Sequence, residues 1–152
     1  MRLSAGRIVT VLLASLMLLG LAADSVATAP PPLPNPVLIL TGQEYYTANG
    51  KQWIRYKYMV FNLDAYPNEM FAPAPELPPC GNNTKASRTW VDFYDSRGKR
   101  LYGFCALNGH DGLGDIWFAL EEGVLPPSYV YIEMNDRKTN TKYKSNLADT
   151  VL

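Results

Sequence analysis

The chain has 152 residues, of which 14 are basic and 14 acidic, so its formal net charge is zero. Without a net positive charge or a basic block it has no long-range attraction for a phosphate backbone, which argues against a nucleic-acid partner. A single histidine and two cysteines offer too few nitrogen and sulfur ligands to favour a zinc site.

The N-terminus has the pattern of a secretory signal peptide. Two arginines precede an apolar run of 16 residues, 8–23, and small residues follow the run. A membrane-spanning helix needs about 20 apolar residues, so the shorter run favours cleavage over a retained anchor. Small residues fit cleavage after Ala27 and also after Ala22. We therefore expect residues 1–27 to be a signal peptide, and the mature protein to be secreted or periplasmic, with no membrane segment.

Proline dominates the segment that follows. Residues 28–36 contain five prolines, which cannot continue a helix or occupy the centre of a sheet. We interpret this segment as an extended tether. The folded domain is expected to cover residues 37–152, a usual size for one domain with its own core.

The first predicted hairpin joins residues 43–48 to residues 51–62. Between them lies Asn49-Gly50, which suits a type I′ turn because both central residues need a positive φ. Arg55 and Lys57 alternate with apolar and aromatic residues and should face water. The row expected to face the core is Ile54, Tyr56, Tyr58 and Val60.

A proline-rich stretch, residues 66–79, follows this hairpin and is incompatible with a long helix or a central strand. We interpret it as a loop that crosses between two sheets. A second hairpin is predicted from residues 88–95 and 99–107, with Gly98 at its turn. Val91 and Phe93 share one face of its first strand.

The remainder of the chain predicts three more strands. Residues 115–120 form a short apolar run bounded by glycine and glutamate. A third hairpin joins residues 128–135 to residues 141–147. Its inner row is predicted to be Val130, Ile132 and Met134.

Seven to eight short strands in one domain predict an all-β fold, either an antiparallel β-sandwich or a barrel. The long loop at residues 66–79 favours the sandwich, because Greek-key connections cross between sheets.

Two segments resemble fibronectin type III-like or immunoglobulin-like domains. Residues 55–62 (RYKYMVFN) are similar to the second strand of such domains, and residues 125–132 (LPPSYVYI) to the run that leads into their sixth strand. Separately, residues 78–81 (PPCG), 87–91 (SRTWV) and 102–105 (YGFC) resemble a family of small exported proteins without assigned function. These resemblances imply an immunoglobulin-like sandwich and transfer no activity.

The two cysteines are expected to be oxidised, since an exported thiol pair meets oxidising surroundings. A Cys80–Cys105 disulfide would join the crossing loop to the strand at residues 99–107. Their spacing differs from the Cys-x-x-Cys pattern of redox pairs. Asn82 begins an Asn-x-Thr sequon, which would be glycosylated if the host is eukaryotic.

Candidate catalytic and metal-binding groups are few. His110 lies in a turn-rich loop with Asp111 and Asp115, whose oxygens are weak candidates for calcium, although aspartate and glycine are also ordinary turn residues. A secreted hydrolase would need paired carboxylates, which the sequence alone cannot bring together. Its candidates are Glu121, Glu122 and Asp136. No catalytic residue and no cofactor is assigned.

The aromatic content is the strongest indication of function. Ten tyrosines and three tryptophans exceed what a small core easily buries, and exposed rings can stack on sugars or contact proteins. Cross-strand pairing of rings within the sheets is the structural alternative. The predicted ligand face consists of Tyr45, Tyr46, Trp53, Arg55 and Lys57.

The sequence as a whole leaves three hypotheses for the function. The first is a non-enzymatic binding or adhesion module that contacts an extracellular protein. The second is a carbohydrate-binding module with a glycan ligand, and the third is the hydrolase.

Overall fold

The computed structural model describes residues 31–79 and 86–151. The predicted signal peptide, Cys80 and Asn82 lie outside the described residues. The described chain folds into two antiparallel sheets, which confirms the all-β prediction. Its strands are β1 (Leu38–Ala48), β2 (Lys51–Val60), β3 (Thr89–Asp95), β4 (Arg100–Ala106), β5 (Ile116–Glu121), β6 (Tyr129–Asp136), β7 (Thr141–Lys144) and β8 (Ala148–Asp149). In the part of the chain described, no helix is long and apolar enough to cross a membrane.

The first sheet has three strands in the order β1-β2-β5. Asn49 and Gly50 have φ values of 52° and 75°, as a type I′ turn requires, so the first hairpin forms where the sequence predicts it. β1 begins at Leu38, five residues before the predicted start. Tyr56, Tyr58 and Val60 are buried, and Ile54 packs against the same core, which confirms the predicted inner row.

The second sheet has five strands, in the order β4-β3-β6-β7, with β8 paired to β6. β7 pairs with the C-terminal half of β6 and β8 with its first two residues. The buried rows are those expected from alternation: Val91, Phe93, Val130, Ile132 and Met134. The sequence pattern does not predict β8.

Aromatic rings join the inner faces of the two sheets. The ring centre of Phe93 on β3 lies 5.6 Å from that of Tyr58 on β2 and 5.5 Å from that of Phe118 on β5. Tyr56 stacks on Phe118 at 5.1 Å. The two sheets therefore share one core and pack as a sandwich.

The proline-rich loop between β2 and β3 crosses from the first sheet to the second, as predicted. It also contributes to the core, because Tyr66, Met70 and Phe71 are each only 1% exposed. Two short 3₁₀ turns, Leu63–Ala65 and Asn68–Phe71, direct these side chains inward.

Part of the predicted tether contacts the domain. Leu33 packs against the core, and Tyr66 donates a hydrogen bond of 2.6 Å from its hydroxyl to the carbonyl of Pro34. Asn62 donates from its amide to the carbonyl of Asn35 at 3.0 Å. These residues have no regular secondary structure, but they are held in place from Leu33 onward.

Hydrogen bonds join β1 to the C-terminal segment on one side of the sandwich. Asn146 accepts from the backbone N–H of Leu38 at 2.7 Å and donates to its carbonyl at 3.0 Å. Gln43 donates to the carbonyl of Thr150 at 2.8 Å. The C-terminal segment therefore covers the start of an otherwise open edge strand.

Candidate binding site between two edge strands

The opposite side of the sandwich brings together β4 and β5, the edge strands of separate sheets. Residues of both strands line two pockets, which are separated along the strands by the contact of Tyr102 with Trp117. We call this side the β4–β5 cleft. Because its strands meet through side chains, a ligand in this cleft can reach residues of both sheets.

A continuous row of stacked side chains crosses the cleft. The guanidinium carbon of Arg55 lies 4.7 Å from the ring centre of Tyr46 and 4.4 Å from that of Trp117. Trp117 and Tyr102 lie 5.9 Å apart with an interplanar angle of 11°, and Tyr102 lies 6.2 Å from Phe104. We call these five residues the aromatic ladder. It extends from the outer face of the three-stranded sheet to the edge strand of the other sheet.

Strand register explains how the ladder forms. Glu44 lies opposite Arg55, and Trp117 lies opposite Lys57, so all four side chains share the outer face of the three-stranded sheet. Tyr102 comes from the other sheet and reaches the ladder across the cleft. Each cation–π contact is worth about 0.5–1 kcal/mol when exposed and more when water is excluded.

Ion pairs surround the ladder and balance its charge. Arg55 pairs with Glu44 at 3.1 Å, and Lys57 with Asp115 at 3.4 Å. The Nε atom of Arg55 is buried between the rings and has no hydrogen-bond partner among the described residues. Stacking and one ion pair therefore hold Arg55, rather than a full set of hydrogen bonds.

A pocket of about 220 Å³ lies at the Phe104 end of the cleft. We call it the aromatic pocket; its lining residues are Tyr102, Phe104, Asn108, Gly112, Asp115, Ile116 and Trp117. Tyr102 is 41% exposed and presents part of its ring to solvent. The pocket thus combines aromatic surface with an amide and a carboxylate.

Four of the five residues of the predicted ligand face lie on the same surface of the protein. Tyr46, Trp53, Arg55 and Lys57 share the outer face of the three-stranded sheet. Tyr45 pairs with Ile54 and therefore points to the opposite face, where it is 65% exposed at the end of the sandwich.

Three residues of the aromatic ladder, Trp117, Tyr102 and Phe104, lie outside the ligand face predicted from the sequence. Trp117 alternates with the buried Ile116 and Phe118, and this pattern already indicated that its ring faces outward. No local pattern could show that β4 lies beside β5, because that contact depends on the order of strands in both sheets.

Two further groups of rings, on the five-stranded sheet, support the structural alternative. On its outer face, Tyr94 and Tyr131 stack across neighbouring strands at 5.3 Å, and the Lys144 ammonium lies 4.1 Å from the Tyr131 ring centre. The Arg100 guanidinium lies 5.5 Å from the ring centre of Trp90. These rings have cross-strand partners that stabilise the sheet.

The two weak calcium candidates lie beside nitrogen-bearing side chains of the protein itself. Asp115 pairs with Lys57, while the Asp111 carboxylate lies 2.7 Å from Nδ1 of His110 without the alignment of a hydrogen bond. Within residues 31–79 and 86–151, no group of three or more His, Cys, Asp or Glu side chains could hold a metal ion.

Of the three carboxylates considered for hydrolysis, Glu121 and Glu122 are neighbours at the end of β5, while Asp136 lies on β6 of the other sheet. Glu121 on β5 pairs with Lys51 at 2.8 Å, and Asp136 on β6 receives two hydrogen bonds from Arg88, at 2.9 and 2.7 Å. Burial alone would raise the pKa of Asp136, but its hydrogen bonds, chiefly from Arg88, lower that pKa overall. Glu121 and Asp136 are thus each paired with a cation of the protein and lie on different sheets, which does not match the paired carboxylates of a glycosidase.

No protein-family model, curated protein or solved structure matches this chain. Its function is therefore inferred from the chemistry of the cleft.

Proposed function

We propose that the protein is an exported, non-enzymatic binding module that holds an extracellular protein ligand against the aromatic ladder. The observation that carries this proposal is the ladder itself, in which five side chains from four strands align across two sheets. Aromatic and arginine side chains are the groups most enriched at the centres of protein interfaces. The ladder presents both on a rigid sheet.

The ion pairs around the ladder support a binding role. Glu44, Asp115 and Lys57 are partly exposed and surround the stacked rings with charge of both signs. An apolar centre with a polar rim is the usual anatomy of an interface. Arg55 is already oriented by two rings, so a ligand that contacts it would cost little side-chain entropy.

A carbohydrate ligand is the second candidate, and the aromatic pocket favours it. Tyr102 offers part of a ring on which a sugar can stack, and Asn108 and Asp115 offer hydrogen-bonding groups for hydroxyls. Specific pockets combine mostly apolar walls with a few polar groups in this way, although most are larger than this one.

We also propose that the sandwich is of the immunoglobulin or fibronectin type III kind. Constant-type immunoglobulin domains have strands A-B-E-D in one sheet and C-F-G in the other. If strands A to G are numbered 1 to 7, those orders are 1-2-5-4 and 3-6-7. The sheets of this protein, β1-β2-β5 and β4-β3-β6-β7, differ in one respect: β4 pairs with β3 instead of β5. A Cys80–Cys105 disulfide is part of the same proposal, and it would anchor β4 beside the cleft.

Site-specific photo-crosslinking tests the protein-binding function. We would replace Tyr102 with p-benzoyl-phenylalanine, express the protein in its host and irradiate intact cells. Position 45 is the matched control, because Tyr45 is also an exposed tyrosine but lies on the opposite face. We expect a defined protein adduct at position 102 only; adducts at both positions or at neither contradict the proposal.

A glycan array separates the second candidate from the first. Binding to a defined glycan that Tyr102→Ala abolishes and Tyr45→Ala preserves would identify a carbohydrate-binding module. Glycan binding that survives Tyr102→Ala would place the sugar site elsewhere.

A further inference from the structure

A second pocket, of about 400 Å³, lies at the other end of the β4–β5 cleft. We call it the leucine pocket; its lining residues are Asp95, Ser96, Arg97, Lys99, Leu101, Leu120, Val124, Leu125, Pro126, Pro127 and Ser128. Its volume falls in the range of about 300–1,000 Å³ that is typical of small-molecule sites. It shares no residue with the aromatic ladder.

The floor of the leucine pocket is continuous with the core. Leu101 on β4 and Leu120 on β5 are partly buried and pack against the core residues of the two sheets. One side of the rim is strongly apolar: Val124 is 50% exposed and Leu125 is 90% exposed. A large apolar side chain that is almost wholly in water, beside a concave apolar floor, marks a surface that a ligand would cover.

The walls of the pocket are held firmly. Pro126 and Pro127 restrict the backbone on one side. On the other side, the Asp95 carboxylate accepts the backbone N–H groups of Arg97 and Lys99 at 2.9 and 2.8 Å, and Ser96 donates from its backbone N–H to the Tyr129 carbonyl at 3.1 Å. The pocket is therefore largely formed before any ligand arrives.

The rim also carries two cations, Arg97 and Lys99. They form no ion pair with any described residue, whereas most other arginines and lysines on the sheets pair with a carboxylate. The only carboxylate among the lining residues is Asp95, whose Oδ1 is occupied by the two backbone N–H groups. The net charge of the lining residues is thus +1.

We propose that the leucine pocket binds an amphiphile with an anionic head group and an alkyl chain. The chain would lie over Leu101 and Leu120 beneath Leu125, where each buried CH₂ group contributes about 0.8 kcal/mol. The head group would lie between Arg97 and Lys99 at the rim. The site is concave, so a single alkyl chain can enter it while the flat surface of a bilayer cannot. A flexible alkyl chain also fits a pocket of this size better than the surface of a folded protein does.

Nuclear magnetic resonance titration tests this proposal with defined probes. Decanoate is added to the isotopically labelled mature protein below the micelle concentration, and decyl maltoside serves as a neutral probe with the same chain length. Acetate serves as an anion without a chain. We expect decanoate alone to shift the amide signals of residues 96–101, 120–125 and 128 in a saturable manner, and we expect added salt to weaken its binding. Equal shifts from decyl maltoside, or none from decanoate, overturn the proposal.

Three variants locate the two parts of the ligand. Replacing both cations, Arg97→Ala with Lys99→Ala, should weaken decanoate binding about tenfold, which corresponds to about 1.4 kcal/mol. Leu125→Ser should weaken it as well while leaving the unfolding midpoint unchanged, because this side chain is already exposed. Lys138→Ala is the matched control, since Lys138 is an exposed turn lysine away from the pocket, and it should have no effect.

Further measurements distinguish a pocket for a single chain from a membrane contact and from non-specific charge attraction. Tyr102→Ala should leave decanoate binding intact, so a failure of the ladder proposal would not affect this one. Binding to vesicles that contain anionic lipid, in the absence of any saturable decanoate site, would indicate a membrane contact and overturn the proposal. Weakened binding in Lys138→Ala equal to that of the double variant would show non-specific attraction and overturn it too.

Discussion

Gly103 on β4 shows how one residue shapes a surface. A Cβ atom at this position would clash with the Arg100 guanidinium and the Asp92 carboxylate and would lie 2.9 Å from the Trp90 ring. Arg100 donates to Asp92 at 2.6 Å directly above the glycine and faces the Trp90 ring. Glycine therefore matters here because it allows a close approach of side chains and not because of its backbone freedom.

We expect Gly103→Ala to lower the free energy of unfolding by about 1–2 kcal/mol, because overpacking displaces the Arg100–Asp92 pair. Urea denaturation measures the change. Gly42→Ala on β1 is the control, since no atom lies within 4 Å of its added Cβ, and it should leave stability nearly unchanged. Equal losses in the two variants would show that glycine matters at both positions for another reason.

The pairing of Arg88 with Asp136 predicts a dependence of stability on pH. Asp136 is 3% exposed and its folded pKa lies below the usual value of about 3.9. Because its pKa is lower in the folded state than in the unfolded chain, Asp136 stabilises the fold. This stabilisation is complete above about pH 5 and is lost as the pH falls through the folded pKa. Acid below about pH 4 should therefore weaken the fold partly through this residue.

Replacing Asp136 tests this expectation. Asp136→Asn should cost about 3 kcal/mol at pH 7, because it leaves Arg88 partly buried without its counter-charge. It should also flatten the decline in stability between about pH 5 and pH 2. Asp115→Asn removes an exposed carboxylate and should change stability at pH 7 by no more than about 1 kcal/mol. An unchanged acid decline in Asp136→Asn would contradict the assignment.

Among the elements, hairpins were the most predictable from sequence. Asn49-Gly50 fixes its turn by local backbone preference, and Gly98 has the positive φ of 82° that its turn requires. Alternation then assigned Tyr56 and Tyr58 to the core correctly. The ends of β1 were less predictable, because its first residues pair with β2 across a bulge between Leu40 and Gly42 that interrupts the pattern.

The C-terminal segment was not predictable by the same reasoning. β8 has only two residues, too few for a periodic pattern, and it forms because its neighbours are held by contacts with distant β1. Asn146 makes the decisive contact with both backbone groups of Leu38. An amide side chain can satisfy both the donor and the acceptor of an edge residue, which no apolar side chain can do.

We expect Asn146→Ala to lower the free energy of unfolding by about 1–2 kcal/mol, because two hydrogen bonds to Leu38 are lost. Hydrogen exchange should accelerate at the Leu38 amide more than at amides in the centre of β2. Leu147→Ala changes an exposed neighbour and should leave the Leu38 amide protected. Continued protection of that amide in Asn146→Ala would show that another group closes this edge.

At the scale of the whole molecule, the two sides of the sandwich differ. Hydrogen bonds from Asn146 and Gln43 join β1 to the C-terminal segment beside a pocket of about 310 Å³, whereas stacked rings and two further pockets lie on the β4–β5 side. The sequence predicts that Arg55 and Trp53 belong to a ligand face, but the contact of Trp117 with Tyr102 depends on how the chain crosses between sheets. Such contacts are non-local, so neither composition nor periodicity predicts them.

The predicted disulfide would help to hold one wall of the β4–β5 cleft, because Cys105 lies on β4. A closed loop of about 25 residues restricts the unfolded chain enough to contribute about 3.5 kcal/mol. We therefore expect reduction, or the double variant Cys80→Ser with Cys105→Ser, to lower the unfolding free energy by about that amount. The intact mass of the protein recovered from outside the cytosol of its host should be lower by two hydrogen atoms than that of the reduced chain. Two alkylatable thiols in that protein would contradict the disulfide, and β4 would then depend for its position on β3, on the aromatic ladder and on the packing of Leu101 and Phe104 against the core.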